Sequence, residues 1–417
     1  PSRPVPPAWT EGAAVPTAAE IDDRWWLAFG DPILSDLVAR AGAADDAELA
    51  RARLAEARAA LRRSRAALAP NLGAALSGRS EQPGDDPERS DTASAVLDAS
   101  WELDLFGQNR TRARAAGASA EAVEAEVAAA RVAARASAAR LYVTYRDAQA
   151  QEAAALRTVE ALEGLLRLAE ARERAGLVGA LDVEAARATL AQARARPIAA
   201  REAAATARLG LEALLGLSPG ALAPTLAQAR PAPGATPQAL LAPASVLANR
   251  PDLIAAEARL RAAGFDADAA RADFWPRLSI GAVFGAQSVD PVSPFSGSGA
   301  LWRLTAGLTA PLFSFGRLEA ARDAADARAE QAAIAYRRAA TRALADVETA
   351  LVAGASAESR RAAQAEALDA AVRRAGLARA RYAAGLSPLL DVLVAEQGVY
   401  QAEADLARAR ADAALAY

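Results

Sequence analysis

The sequence predicts an α+β membrane protein in which four transmembrane β-strands per protomer accompany helices of exceptional length. Three observations predict it. The chain says the same thing twice: Phe106-Gly107 recurs as Phe315-Gly316, Gly176-Leu177 as Gly385-Leu386, and Leu181-Asp182-Val183 as Leu390-Asp391-Val392, each 209 residues on. Each half carries two runs of alternating apolar and polar residues, close to the roughly 9–11 residues that a tilted membrane strand needs. Behind each pair of runs, over 110–175 and again over 318–384, helical patterning continues without a single Pro. At about 1.5 Å per residue each such helix would be roughly 100 Å long. A period this long marks a duplicated half rather than a solenoid unit.

The elements follow in order. Residues 1–30 begin as a Pro-rich arm (Pro1, Pro4, Pro6, Pro7, Pro16) of extended character. Trp25, Trp26 and Phe29 lead into Asp31-Pro32, a helix start with Pro at its first position. The first repeat, 31–217, opens with helical patterning to about Leu68, broken near Gly42. Leu72, Ala74 and Leu76 then alternate with small residues; after a polar loop at Gln82–Asp91, Ala95, Leu97, Ala99, Trp101, Leu103 and Leu105 alternate with an acidic face. The long helix comes next, and a return helix from Val183 to about Leu215, which Pro197 should kink or break. Residues 218–243 carry six prolines and read as an irregular connector.

The second repeat, 244–417, restates the plan. Leu278, Ile280, Ala282, Phe284 and Ala286 form one apolar stripe, and Trp302, Leu304, Ala306, Leu308, Ala310 and Leu312 another, separated by a Pro/Ser/Gly loop at Asp290–Gly299. Its long helix has Leu344, Val347 and Leu351 at the 3-then-4 spacing of a packing seam. A return helix from Val392 to Ala416 closes the chain.

Composition narrows the functional classes. Hydrophobic residues reach 53% but aromatics only 5%, because much of the apolar content is Ala, the best helix former. The chain has no His, Cys, Met or Lys, which excludes thiol and lysine nucleophiles, histidine bases and Cys/His metal sites. Paired acids such as Asp22-Asp23 and Asp45-Asp46 have no base or metal partner beside them and read as caps or surface. Carboxylate-only catalysis stays open on composition, yet no catalysis, cofactor or metal is expected. A net charge of -3 with interleaved signs argues against a nucleic-acid partner. No stretch approaches eighteen consecutive apolar residues, so a membrane crossing must use strands. The chain opens on Pro1 rather than Met, which fits a cleaved signal peptide with a lipid-carrying Cys, and equally a trimmed sequence.

Four strands cannot close a membrane barrel, for which about eight is the smallest closure, so the edges must be met by further copies. Two copies supply eight strands and three supply twelve. Eight-stranded barrels fill with side chains, and the Gly, Ser and Thr on the polar faces favour an open lumen, hence a homotrimer.

A resemblance joins this reading. Asn249-Arg250-Pro251-Asp252, Ala255-Ala256-Glu257-Ala258-Arg259-Leu260 and Phe274-Trp275-Pro276-Arg277-Leu278-Ser279-Ile280 resemble the outer-membrane factor (TolC-like) family, in its branch of efflux lipoproteins serving resistance–nodulation–division pumps. Trp25-Trp26 through Asp31-Pro32, the arm Pro4-Val5-Pro6-Pro7-Ala8-Trp9, and Tyr382-Ala383-Ala384-Gly385 running into Asp391-Val392-Leu393 are similar to that branch as well. The resemblance covers essentially the whole chain. It implies a trimeric 12-strand β-barrel in the outer membrane of a Gram-negative-type bacterium and a long periplasmic α-helical barrel built from two tandem repeats. It also implies docking to a periplasmic adaptor and an inner-membrane pump, with small molecules such as drugs passing through. A duct for type I protein secretion, or a soluble coiled-coil scaffold with hairpins for partners, are the rival readings.

Candidate site residues cluster at two levels. Gly176 and Gly385 end the long helices, and the turns that follow, with Leu177 and Ser387, are expected at the periplasmic tip where an adaptor would dock. Asp182 and Asp391 open the return helices, either as carboxylates favoured by the helix dipole or, for Asp391, as a charged ring narrowing a closed pore. The resemblance implies Asp391 and Tyr382 as constriction residues. Ser387 and Val394 depart from a gating pattern of the family that carries Arg and an acid there, so closure by Leu386, Leu389 and Leu390 is the expected substitute. At the other level, Asp98, Glu102 and Asp104 on one strand face, with Arg303, would make a charged barrel lumen, or else a merely solvated sheet face. Trp101 and Trp302 read as interfacial belt residues or as core.

Overall fold

A computed structural model describes residues 6–11, 17–18, 24–81, 90–234, 240–288 and 300–417. The polar loops expected at 82–91 and 290–299 lie almost wholly outside the described residues, as does the pair Asp22-Asp23.

In chain order the elements are β1 (Thr17–Ala18), a 3₁₀ turn (Trp25–Phe29), α1 (Pro32–Ala41), α2 (Asp45–Ala66), β2 (Asn71–Glu81), β3 (Ser90–Leu103), α3 (Gln108–Arg174) and α4 (Ala180–Leu214). Then follow α5 (Ala223–Leu226), β4 (Leu240–Leu241), α6 (Pro243–Asn249), α7 (Pro251–Ala272), β5 (Arg277–Ser288), β6 (Ala300–Thr309), α8 (Arg317–Ala383) and α9 (Leu389–Ala416). The two long helices have 67 residues each. Asp31 caps α1, its carboxylate accepting from the Ile33 and Leu34 amides at 2.8 and 3.2 Å, and α1 stops at Gly42.

Three expectations need correction. Helix α4 runs unbroken through Pro197. Proline removes one amide donor, which costs about 3 kcal/mol in an isolated helix, but Pro197 lies on the buried face that also carries Leu190 and Ala193, so packing on both sides holds the helix. The connector 218–243 is not irregular throughout: it contains α5 and β4, and β4 pairs in parallel with β1 of the N-terminal arm. The strand pattern read through Leu105 ends at Leu103, for a reason that emerges at Asp104 below.

The chain divides into two compact units, each drawing on both halves of the sequence. One comprises residues 1–49, 128–249 and 341–417. Its main core gathers Trp26, Leu34, Leu37, Tyr142, Leu211 and Leu226, and a smaller one gathers Leu162, Val183, Tyr382, Leu389 and Val392. Alanine fills most other buried positions, as close helix packing requires. The arm is tied down by polar bonds: Trp9 donates to the Leu241 carbonyl at 2.7 Å, and the Thr10 and Glu11 amides donate to the two carboxylate oxygens of Glu348 at 2.7 and 3.0 Å.

The other unit comprises residues 50–127 and 250–340. It holds a four-stranded antiparallel sheet in the order β2-β3-β5-β6. Helix α7 begins on the Asn-Arg-Pro-Asp motif, where the Arg250 guanidinium forks onto the two oxygens of Asp252 at 3.0 and 2.8 Å and holds its carboxyl below the usual range.

Candidate functional site: a two-faced sheet and paired helix ends

Cross-strand partners point to the same side of a sheet, so the register fixes its two faces. One carries Leu72, Leu97, Trp101, Phe284, Trp302 and Leu308; the other carries Ser77, Asp98, Glu102, Ser279, Arg303 and Thr305. Leu72, Leu76, Phe284, Trp302, Leu304 and Leu308 are all exposed within a protomer. A continuous stripe of that size is too apolar for water. On the opposite side small residues let side chains lie close: a Cβ on Gly73 would sit 2.8 Å from Asp98 Oδ1, and one on Gly281 2.8 Å from Thr305 Oγ1. Ser77 and Ser94 share a hydrogen bond at 2.7 Å across the first hairpin.

Asp98, Glu102 and Arg303 all lie on this polar face, as their spacing requires. Asp104 does not. It stands beyond the end of β3, where its carboxylate accepts from the Asn109 and Arg110 amides at 3.0 and 2.8 Å and pairs with the Arg110 side chain at 3.2 Å. It caps α3, satisfying orphan amides at the positive end of the helix dipole, and this is why the strand pattern stops at Leu103. Trp101 is half-buried and donates to the Leu68 carbonyl at 3.0 Å, which anchors it to the turn after α2; Trp302 stands exposed.

At the other level the long helices end alike. Gly176 and Gly385 adopt left-handed φ of 71° and 75°. The Leu177 amide reaches the Arg172 carbonyl at 2.9 Å and Gly176 that of Glu173 at 2.8 Å, and Leu386–Arg381 and Gly385–Tyr382 repeat the pattern at 2.8 and 3.0 Å. This is the Schellman cap, which only a residue free of a Cβ penalty closes cheaply. The Arg172 guanidinium lies 4.3 Å over the Tyr382 ring and donates to the Ala383 carbonyl at 3.0 Å, so the end of α3 clasps the end of α8.

The predicted tip residues therefore separate into two groups. Tyr382 and Leu389 are 2% and 1% exposed and belong to the small core with Leu162, Val183 and Val392. As constriction residues both are corrected: their side chains are used up in joining α3, α4, α8 and α9. Leu386 and Leu390 are 70% and 63% exposed, as is Leu177 at 71%, and Asp391 is exposed in the first turn of α9. Asp182 is half-buried in the first turn of α4, and Ser387 is half-buried with an unpartnered hydroxyl.

Sequence reasoning missed two buried polar centres. Glu212, 1% exposed, accepts from Arg208 Nη1 at 2.8 and 2.9 Å and from the Gly220 and Leu222 amides at 2.9 Å each, which stitches the end of α4 to the connector. Burial raises its pKa, but the two amides and the arginine outweigh it, so the net shift is downward. Tyr142 donates to Asp31 at 2.6 Å, and burial with that bond pushes its hydroxyl up to about 12. Only the i, i+4 spacing of Arg208 and Glu212 hinted at either.

Comparison with known proteins decides the family. The model of the outer membrane efflux protein family matches residues 45–217 and 242–417. The chain belongs to that family. It is 33% identical to the pyoverdine export outer membrane protein OpmQ of Pseudomonas putida, over 97% of this chain and 88% of that protein. It is likewise 33% identical to the outer membrane protein OprJ of Pseudomonas aeruginosa, over 96% and 85%. The solved structure of the outer-membrane channel OprN matches with a TM-score of 0.92 at 29% identity, covering 100% of this chain and 96% of that one. The protein is thus an outer-membrane channel and not an enzyme. Three protomers contribute four strands each to one barrel, and the helical part stands in the periplasm. It is the exit duct of a tripartite efflux system, working with a periplasmic adaptor and an inner-membrane pump. The soluble-scaffold reading falls with these matches.

Proposed function

We propose that the turn from α8 to α9 closes the periplasmic end of the duct, with Leu386, Leu390 and Asp391 facing the axis, and that the turns holding Gly176, Leu177, Gly385 and Ser387 meet the adaptor. The observation that carries this is the exposure of Leu386, Leu390 and Asp391 directly beside the buried Tyr382 and Leu389, at a tip where Leu177 is also exposed. Apolar side chains left outward at a folded tip need a partner, and the three-fold axis supplies the same residues from two more copies. Asp391, one per subunit, adds a ring of negative charge at the tip, so cations should pass more readily than anions; in the barrel Asp98 and Glu102 share the polar face with Arg303. The conducted molecules are small organic solutes; relatives are named for pyoverdine, toluene and antibiotic export. The pump, which takes up the solute, chooses the cargo.

The test is conductance in planar bilayers of the purified trimer. Small, infrequent, cation-selective openings are expected, growing in Asp391→Asn and Leu390→Ala. Anion selectivity, or wild-type openings in both variants, would refute the placement of the gate.

A further inference from the structure

The structure assigns the strand register by which one protomer joins the next, an inference that rests on the trimeric barrel and goes beyond it. The two hairpins are one hairpin used twice. Asn71 faces Ser100 in the first; Arg277, 206 residues after Asn71, faces Thr309, 209 residues after Ser100, in the second. Every pair common to both hairpins keeps the same two offsets. The flanking landmarks share them: Pro70 and Pro276 before the first strand of each hairpin, Phe106 and Phe315 after the second.

The joint between the hairpins is β3 on β5, with Leu103 opposite Leu278 and Asp98 opposite Val283. In a closed ring of identical protomers β6 stands where β3 stood, and β2 of the next copy where β5 stood. Moving the β3 residues on by 209 and the β5 residues back by 206 sets Leu312 opposite Leu72 of the partner subunit, and Gly307 opposite Ser77 of the partner subunit. It also sets Arg303 opposite Glu81 of the partner subunit.

Three independent features agree with that register. On one face Leu308, Ala310 and Leu312 meet the partner's Leu76, the partner's Ala74 and the partner's Leu72, and on the other Arg303 and Thr305 meet the partner's Glu81 and the partner's Arg79, an arrangement that a slip of one residue would reverse. Among the described residues Arg303 makes no ion pair within its own protomer, and the register brings it against Glu81 of the partner subunit, an acid that pairs with Arg79 of its own chain at 2.7 Å. A slip of two residues toward the strand's start would instead set it against Arg79 of the partner subunit, and like charges directly opposite are destabilising. Finally, β6 stops at Thr309 in the isolated protomer whereas β3 reaches Leu103, the counterpart of Leu312. The register restores the missing residues: Ala310 and Leu312 gain ladder partners, while Pro311 contributes none.

The joint differs in strength from its model inside the protomer. Within one chain Phe106 stacks on Trp275 at 5.2 Å, and Asp273 holds Gln108, Arg112 and Arg277. The positions that match Trp275 and Asp273 are Ala69 and Ala67. Between protomers the exposed pair Phe313 and Phe315, 4.4 Å apart, covers an alanine and Pro70 instead, with no ionic latch.

The chain has no cysteine, so introduced thiols report without background. Directly opposed strand residues lie about 4.5–5.5 Å apart at Cα, inside the disulfide range, while diagonal ones lie beyond it. Double variants Gly307→Cys with Ser77→Cys, and Ala310→Cys with Ala74→Cys, should give covalent trimers on oxidation. Gly307→Cys paired with Ala75→Cys or Arg79→Cys should give at least tenfold less. Native mass in detergent is read on each variant. A trimer in which a slipped pair links best, or in which neither in-register pair links, overturns the register; a protein of monomer mass overturns the barrel itself.

Discussion

Adjacent leucines at the start of α9 offer a sharp separation of packing from gating. Leu389 is buried and Leu390 exposed, at 1% and 63%. Cutting Leu389 to Ala removes a side chain from the core of Leu162, Leu165, Val183, Tyr382 and Val392. The transfer loss plus the cavity left behind amounts to about 3 kcal/mol for a fully buried leucine. Since about 1.4 kcal/mol is a factor of ten, amides at the end of α8 and the start of α9 should exchange with solvent roughly a hundredfold faster. Leu390→Ala removes an exposed side chain and should leave exchange within about 0.5 kcal/mol of wild type. Conductance should move the other way: Leu390→Ala opens a wider path with the tip still protected, whereas Leu389→Ala opens it only by loosening the tip. Hydrogen exchange by mass spectrometry and single-channel recording on the same preparations measure both. Equal exchange in the two variants would refute the burial argument. A conductance rise only in Leu389→Ala would refute Leu390 as a lining residue.

Three further outcomes follow. Glu212→Gln keeps the volume but removes the charge that binds Arg208 and two amides, so it should cost about 3 kcal/mol, seen as a lower thermal midpoint in calorimetry. Because the folded pKa of Glu212 is depressed, its contribution is present above the usual glutamate pKa and fades as pH falls through the lower folded value; the Gln variant should show a flatter acid limb. Of the six tyrosines, Tyr142 should ionise last, near pH about 12, in an ultraviolet titration. Its folded pKa is raised, so the stability it contributes is present below pH about 10 and lost as pH climbs toward 12; Tyr142→Phe should abolish that step and cost about 1 kcal/mol. A Cβ at Gly285 would sit 2.2 Å from the Ala95 carbonyl oxygen and 2.7 Å from Val96 Cα, both backbone, so Gly285→Ala should force β3 from β5 and abolish the trimer on semi-native gels.

Much of the architecture was legible because its signals are local. Alternation marked β2, β3, β5 and β6, uninterrupted helical patterning marked α3 and α8, and the glycines at 176 and 385 marked where those helices end. Asp104 was misassigned because a carboxylate one step past a strand looks, by parity, like one more residue of its face. Pro197 was misread because its cost is local while the packing that meets it comes from elsewhere in the fold. At the tip, parity and spacing could not tell Leu389 from Leu390.

The sequence alone determined the kind of machine: backbone periodicity and turn chemistry act over a few residues, and the duplication wrote them twice. Only the tertiary structure decided which tip residues are spent on packing, which carboxylate caps a helix, and which strand lies beside which. Those outcomes depend on the direction a side chain takes toward a neighbour distant in sequence. Periodicity places a residue on a face, and only the partner packed there determines whether that face is core, joint or lumen.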